Sequence, residues 1–387
     1  MPRFGMSIIA LVILALVATA CGDTPPPTTD ASQPAGESEP ATSEPAESEP
    51  ASSEPAESEP PAAGDGILAA VQERGELVCG INGTLPGFSV LDAEGNTVGF
   101  DADFCRAIAA AVLGDSEAVE FRELTADQRS TALQTGEIDV LIRNTTWTVS
   151  RDTSWGLFAP TTFYDGQAIM VNSTQVDATS IEELDGATVC VLTGTTTEQN
   201  LQDAATNAGI ELTPETFPEA PELYSAYTAE NSICDAATSD RSQLTAQRSG
   251  FENPDDHLIL DDVLSKEPLG PVAPLADDGW FNVVKWVVFA TIEAEELELT
   301  SDNVEEMASS SENPVVQRLL GVTPEGDDPF ESGLGLEPDW VVTMISQVGN
   351  YAEIYDRNLG PETAVALERG LNSLWTDDGL LYAPPYR

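Results

Sequence analysis

Between Arg143 and Arg151 the chain reads Arg-Asn-Thr-Thr-Trp-Thr-Val-Ser-Arg, which sets two guanidinium groups, an amide and several hydroxyls within nine residues. It follows directly on Asp139-Val140-Leu141-Ile142, an apolar run that reads as a buried strand. A polar stretch at the carboxyl end of a sheet strand is where open α/β folds bind ligands. Arginine grips a carboxylate bidentately. The plainer alternative is a surface ion pair. In a chain with 67 acidic and only 15 basic residues, however, an Arg next to an apolar strand is a poor candidate for surface decoration.

A second segment, Gly194-Thr195-Thr196-Thr197-Glu198, lies between a strand and a helix. Thr195 and Glu198 have the spacing of a capping box, which is a sufficient structural role. Free amides and hydroxyls at a helix N-terminus also receive anions. The third segment, Asp235-Ala236-Ala237-Thr238-Ser239-Asp240, leaves a strand end with Asp240 placed to meet a cation. Together these residues offer Arg and helix amides to a carboxylate, and an Asp to an ammonium. That is the recognition set for an α-amino acid zwitterion.

No reaction is implied. The single His257 lies elsewhere, no Ser or Cys sits in an elbow motif, and no Gly-rich phosphate loop occurs. The sequence calls for no cofactor.

These segments need elements to position them, and the sequence supplies two α/β units. In the first, a helix ends near Gly75, and Leu77-Val78-Cys79-Gly80 is a strand. Asp92 to Asn96 is a turn, and a helix capped by Asp101 carries Phe104, Cys105, Ile108, Ala111 and Val112 on one face. Gly114 stops it. Strand 119–122, helix 126–134 and strand 138–142 complete a βαβαβ pattern, hence a mostly parallel sheet. The second unit takes strands at 188–192, 211–213, 233–237 and 257–260, with helices from 196, around 222–228 and at 241–248. From Trp280 onward helices are expected at 283–294, 341–355 and 362–374. Two α/β units joined by extended segments make a cleft suited to a small ligand.

The net charge of −52 excludes ordinary nucleic-acid binding, which needs a basic face to release counterions. It also argues against adhesion to anionic lipid. Lys266 and Lys285 are the only lysines, and a Lys-poor acidic surface suits salty surroundings.

The first 65 residues are not part of a fold. Residues 1–20 read as a secretory signal, with Arg3, an apolar run from Ser7 to Val17, and Ala18-Thr19-Ala20 before Cys21. Cys after small residues resembles the lipobox of bacterial lipoproteins, in which that Cys is acylated. Ala18 stands where that motif usually has Leu, so a plain signal peptide is the alternative. Residues 21–65 then hold this Cys and a tether rich in Pro, Ser and Glu. Its 44 residues after Cys21 carry eight Glu and three Asp with no Lys or Arg, a composition that cannot repay its ordering entropy. It would span from roughly 40 Å as coil to about 135 Å as polyproline II. Residues 66–387 keep 56 acidic and 14 basic residues, so the charge belongs mainly to this head.

With Cys21 lipidated, Cys79, Cys105, Cys190 and Cys234 remain, an even number in an exported chain. Three pairings are possible. Cys79–Cys105 and Cys190–Cys234 are favoured because each stays within one unit and leaves motion between the units free. No Cys-x-x-Cys occurs, and one His is too few for zinc; His257 reads as a strand end. The acidic doublets Asp255-Asp256, Asp261-Asp262, Asp327-Asp328 and Asp377-Asp378 lack the spacing of a calcium loop, so no metal is expected.

With these residues in place, 66–387 resembles the extracytoplasmic solute-binding proteins of ABC transporters for polar amino acids, and among them the general L-amino-acid-binding branch. The resemblance rests on Leu85-Pro86-Gly87-Phe88-Ser89, Gly99 to Ala107, Ala132 to Asp139, Arg143 to Thr148, Gly194 to Glu198, Ser265 to Pro271, Val348-Gly349-Asn350-Tyr351 and Tyr382-Ala383-Pro384-Pro385.

The resemblance implies a two-lobed type II periplasmic-binding-protein fold with two hinge crossovers, near Tyr164 to Gln167 and Leu264 to Pro271. Lobe 1 would hold 66–165 and 270–387, and lobe 2 would hold 166–269. It implies that Arg151 clamps a ligand α-carboxylate with Thr146 and Thr196, at the helix end that Thr195 opens. Asp240 with Asn144 and Thr146 would take the α-ammonium, while Arg143 and Asn82 would lie near the side-chain end. Relatives specific for basic amino acids ring the side chain with aromatics, whereas Leu85 and Ala126 stand at the matching places here. That fits broad specificity, and Arg143 would disfavour cationic side chains. The implied partners are a free L-amino acid, an ABC permease with its ATPase, and the outer face of a membrane through the lipid. The protein itself would be a monomer. The rival readings are a secreted dehydratase of amino-acid precursors and an amino-acid sensor on the same fold.

Overall fold

A computed structural model describes residues 66–323 and 331–387. The expected signal segment, Cys21, the tether to residue 65 and Asp327-Asp328 lie outside the described residues.

Among the described residues fifteen strands form four sheets. In chain order the first seven are β1 (Leu77–Ile81), β2 (Thr84–Leu85), β3 (Ser89–Leu91), β4 (Thr97–Val98), β5 (Val119–Glu123), β6 (Val140–Leu141) and β7 (Gly156–Phe158). There follow β8 (Phe163–Asp165), β9 (Gln167–Asn172), β10 (Thr188–Leu192), β11 (Thr213–Phe217), β12 (Ala236–Asp240) and β13 (His257–Ile259). The last two are β14 (Glu267–Leu269) and β15 (Val272–Pro274).

One lobe is built on the sheet β5-β1-β6-β15-β7 and the other on β11-β10-β12-β9-β13. The parallel cores are the ones expected, β5-β1-β6 and β11-β10-β12. Each sheet is extended by one strand antiparallel to its core, β15 or β9, and then by one that runs with the core, β7 or β13. The chain crosses between lobes twice, through β8 and β14, which pair with each other with Asp165 opposite Glu267 and Phe163 opposite Leu269.

The helix Phe100–Leu113 fills the core of the first lobe and is buried on nearly every side. Its N-cap is Gly99, at φ 133, where a Cβ would fall 2.3 Å from the carbonyl of Phe88. Asp101 is therefore not the expected cap. It lies in the first turn, and its carboxylate accepts the amide of Asn144 at 3.1 Å. Around this helix Phe88, Phe100, Phe104, Phe163, Tyr351 and Tyr355 pack with centroids 5.0 to 6.3 Å apart, mostly edge to face. Tyr351 also donates to the carbonyl of Thr162 at 2.7 Å, tying the C-terminal helices to the first crossover.

Both favoured cystine bridges are present, Cys79–Cys105 from β1 to the long helix and Cys190–Cys234 from β10 to the approach of β12.

Several elements differ from expectation. The strand expected at 233–237 runs instead from Ala236 to Asp240, because it aligns with β9 from Ala236↔Val171 to Asp240↔Gln167. The helix expected at 341–355 is two, Trp340–Val348 and Tyr351–Asn358, broken at Gly349 (φ 90) and restarted by a capping box of Asn350 and Glu353. The stretch 362–374 holds only the short turn Gly370–Asn372, since Ala366 and Gly370 take left-handed backbone angles that a helix cannot hold. His257 stands at the end of a strand as expected, as the first residue of β13; it is buried and hydrogen-bonded to the Tyr227 hydroxyl at 2.9 Å.

Candidate functional site

Arg129, Arg143, Asn144, Thr146 and Arg151 from the first lobe face Leu192, Thr195, Thr196, Thr197, Ser239, Asp240 and Gln243 from the second across one pocket. Seven of the eight residues singled out for ligand contact therefore meet there. Asn82 lines an adjoining cavity of about 240 Å³ that shares Arg143 and Leu192 with the pocket. Its own amide oxygen turns back onto Thr84, accepting from the backbone N–H at 3.1 Å and the hydroxyl at 2.8 Å.

Arg151 stands on the helix Val149–Ser154, which Thr148 caps by accepting the Arg151 amide. Its guanidinium donates to the carbonyl of Thr146 at 3.1 Å and lies 4.7 Å from the Trp155 ring centroid. A backbone carbonyl and a ring fix the fork in place without neutralising it. Burial lowers the Arg151 pKa, and the charges of Glu267 and Asp240 partly restore it. Arg143 donates to the carbonyl of Leu124 at 2.7 Å, and burial pulls it down to about 10 against the support of Asp101 and Glu219.

Asp240 ends β12 and is buried, with Gln243 donating to its carboxylate. Burial raises its pKa well above the usual carboxylate range, and the nearby charges of Asp165 and Glu267 push the same way. Glu267 is itself buried but well supplied: it accepts from Thr196 at 3.0 Å, Asn200 at 2.9 Å and Ser265 at 2.5 Å.

Asn144 holds a left-handed backbone at φ 41, and both polar atoms of its buried side chain lack a hydrogen-bond partner in the protein. Leaving a buried amide unsatisfied costs about 1–3 kcal/mol, so a ligand that satisfies it gains by doing so. Thr195 caps the helix Thr196–Ala208 by accepting the Glu198 amide at 3.1 Å. The reciprocal bond differs from a capping box, because the Glu198 carboxylate accepts from Gly194 instead of Thr195. The Thr195 hydroxyl is committed to capping, while that of Thr196 reaches 3.3 Å across the cleft to Thr146.

The pocket itself is only about 20 Å³, room for about one water. The lobes touch around it, with Arg129 donating to the carbonyl of Gly194 at 3.2 Å and Gln247 to that of Thr84 at 3.3 Å. Admitting a molecule the size of an amino acid requires the lobes to part.

Sequence reading missed Arg129, Gln243 and Glu267. Arg129 is fully enclosed, donates to the carbonyl of Ala126 and stands 5.4 Å from the Trp155 ring that also carries Arg151. Its pKa falls well below the ordinary value, first through burial and then through Arg143 and Arg151. Three guanidinium groups thus line one small pocket.

The profile of the bacterial extracellular solute-binding proteins, family 3, matches residues 77–361. The chain is 46% identical over 327 residues to the general L-amino acid-binding periplasmic protein of Rhizobium johnstonii, covering 84% of this chain and 94% of that one. It is 45% identical to the glutamate/glutamine/aspartate/asparagine-binding protein of Rhodobacter capsulatus, again over 327 residues, with 84% and 95% covered. Among solved structures, an ABC transporter/periplasmic binding protein from Brucella ovis with glutathione bound superposes with a TM-score of 0.78 at 46% identity. That match covers 83% of this chain and 99% of that chain.

Proposed function

The chain belongs to the bacterial extracellular solute-binding proteins of family 3, and from that premise we propose that it captures free L-amino acids of several kinds in its cleft and hands them to an ABC permease. It has the two-lobed type II fold and is a binding protein rather than an enzyme. The observation that carries the proposal is the placement of Arg151 and Asp240, both buried, on opposite lobes of one pocket. Arg151 takes the α-carboxylate, helped by Thr146 and Thr196. Asp240 takes the α-ammonium with Thr146 and the unpartnered amide of Asn144. Arg143 and, at the outer edge, Asn82 face the ligand side chain. The broad and the acid-and-amide specificities in the names of the two relatives favour a wide ligand range.

We place the lobe boundaries at 66–165 with 270–387, and at 166–269, a division supported by which strands share a sheet. The head works outside the cytoplasmic membrane as a monomer, held there by acyl chains on Cys21 at the end of a long acidic tether. Such tethering raises the effective concentration at the permease. Replacing Arg151 by Met or Asp240 by Asn tests the assignment by calorimetry. Each change should weaken amino-acid binding by about a hundred-fold or more, since each leaves a ligand charge unpaired. Unchanged affinity in both would overturn it.

A further inference from the structure

The second lysine of the chain, Lys285, stands on the helix Asp278–Glu296 and lines a cavity of about 370 Å³. The rest of the lining is mainly apolar, part aromatic (Trp147, Tyr164, Phe281 and Tyr382) and part aliphatic (Ile292 and Leu381). Trp147 and Phe158 stack with planes 9° apart and centroids at 5.8 Å, so the buried Phe158 ring backs the part-exposed Trp147 ring. The volume falls within the range of small-ligand sites, roughly 300–1,000 Å³.

The Lys285 ammonium donates to the Asn282 side-chain oxygen at 2.6 Å and lies 5.0 Å from the Phe281 ring centroid. Among the described residues no carboxylate lies within ion-pair distance of it. In a chain with 67 acidic residues, a lysine left to a neutral amide and an aromatic ring offers its charge to something else. Trp147 is 41% and Tyr382 59% exposed, so the cavity opens to solvent. None of its lining residues belongs to the amino-acid pocket.

We propose that this cavity is a second ligand site, taking a small aryl or alkyl monocarboxylate with its apolar body against Trp147 and its carboxylate on Lys285. A mainly apolar lining that holds one cation matches that ligand class: the rings and aliphatic side chains supply the apolar area, and the lysine supplies a charge-assisted hydrogen bond. A neutral apolar molecule would leave the ammonium unused, and an amino-acid zwitterion would bring its own ammonium beside it. The site stands independently of the assignment of the cleft.

The test titrates 3-phenylpropanoate into the full chain by calorimetry, with neutral 3-phenylpropanamide in parallel. Saturable one-to-one binding is expected, weaker by about ten-fold or more for the amide and for the Lys285→Met variant. The Arg151→Met variant, impaired in the cleft, should bind the probe as the parent does. Absence of saturable binding, equal binding of the amide, or loss of the probe with Arg151→Met would each overturn the proposal. The amide comparison needs no substitution, so it holds even if Lys285→Met folds poorly.

Discussion

Asp165 and Glu267 face each other in the two-stranded ladder through which the chain crosses between its lobes, and the charges of both bear on Asp240 at the end of β12. Three carboxylates therefore gather where the lobes hinge, with the Arg151 guanidinium as the cation opposing them at Asp240. Ser242 and Gly166 amides donate to Asp165, Thr196, Asn200 and Ser265 to Glu267, and Gln243 to Asp240. Like charges in a desolvated site resist ionising together.

That cluster sets a pH dependence. Burial raises Asp165 from 3.8 to about 6 and Asp240 well above the same starting value. A carboxylate raised on folding holds more protons in the native state than in the unfolded one. Its stabilising contribution is complete below about pH 4 and is lost as pH rises through about 6. Burial holds the Asp240 pKa high, so an ammonium arriving there takes the place of a proton and ligand binding should release protons. Calorimetry in two buffers of different ionisation heat checks this; identical binding heats in both would count against the cluster.

Charge selection follows from the three guanidinium groups. Once Arg151 is paired with the α-carboxylate, Arg129 and Arg143 still face the pocket. Competition binding should rank glutamate above arginine by about ten-fold or more, the worth of one charged hydrogen bond. Arginine binding as tightly as glutamate would contradict that reading.

Gly194 tests the contact between lobes. Its φ is 73, and a Cβ there would fall 1.9 Å from the Asp127 carboxylate on the facing lobe. Gly194→Ala should cost about 1 kcal/mol of backbone strain whether or not the lobes touch. It should also weaken ligand binding further, because the clash exists only when they do. Adding Asp127→Ala should restore most of the affinity and none of the strain, as read by titration alongside thermal unfolding.

The two cystine bridges close loops with sequence separations of 26 and 44 residues. Loop-closure entropy puts their contributions at about 3.5 and about 4 kcal/mol. Replacing either pair by Ala should lower the unfolding midpoint while leaving affinity within about two-fold, because each bridge stays on one side of the cleft. A large loss of affinity would mean that a bridge shapes the pocket.

Much of the site was legible in the sequence because its groups follow apolar strands. Arg143 to Arg151 comes after the buried β6, and Asp240 closes β12. Arg129 escaped notice because it sits in a short helix with no polar neighbours of obvious purpose, although the scarcity of cations was a usable signal. Glu267 looked like one acid among 67 until β8 and β14 paired. The strand β9 was missed although Ala168 to Val171 is wholly apolar, since it lies between two expected crossovers and pairs antiparallel with strands distant in sequence. The stretch 362–374 has helix-forming residues but is held open by the bond from the Leu367 amide to the carbonyl of Leu359, a contact that spacing does not reveal.

Capture of several kinds of free L-amino acid in the cleft is read out by thermal unfolding of the chain against all twenty of them. A ligand at 100 times its dissociation constant stabilises by about 2.7 kcal/mol, a readily measured upward shift. Such shifts are expected with several chemically different amino acids, acidic ones among the strongest, and are expected to vanish in Arg151→Met. No shift with any of the twenty would contradict capture in the cleft.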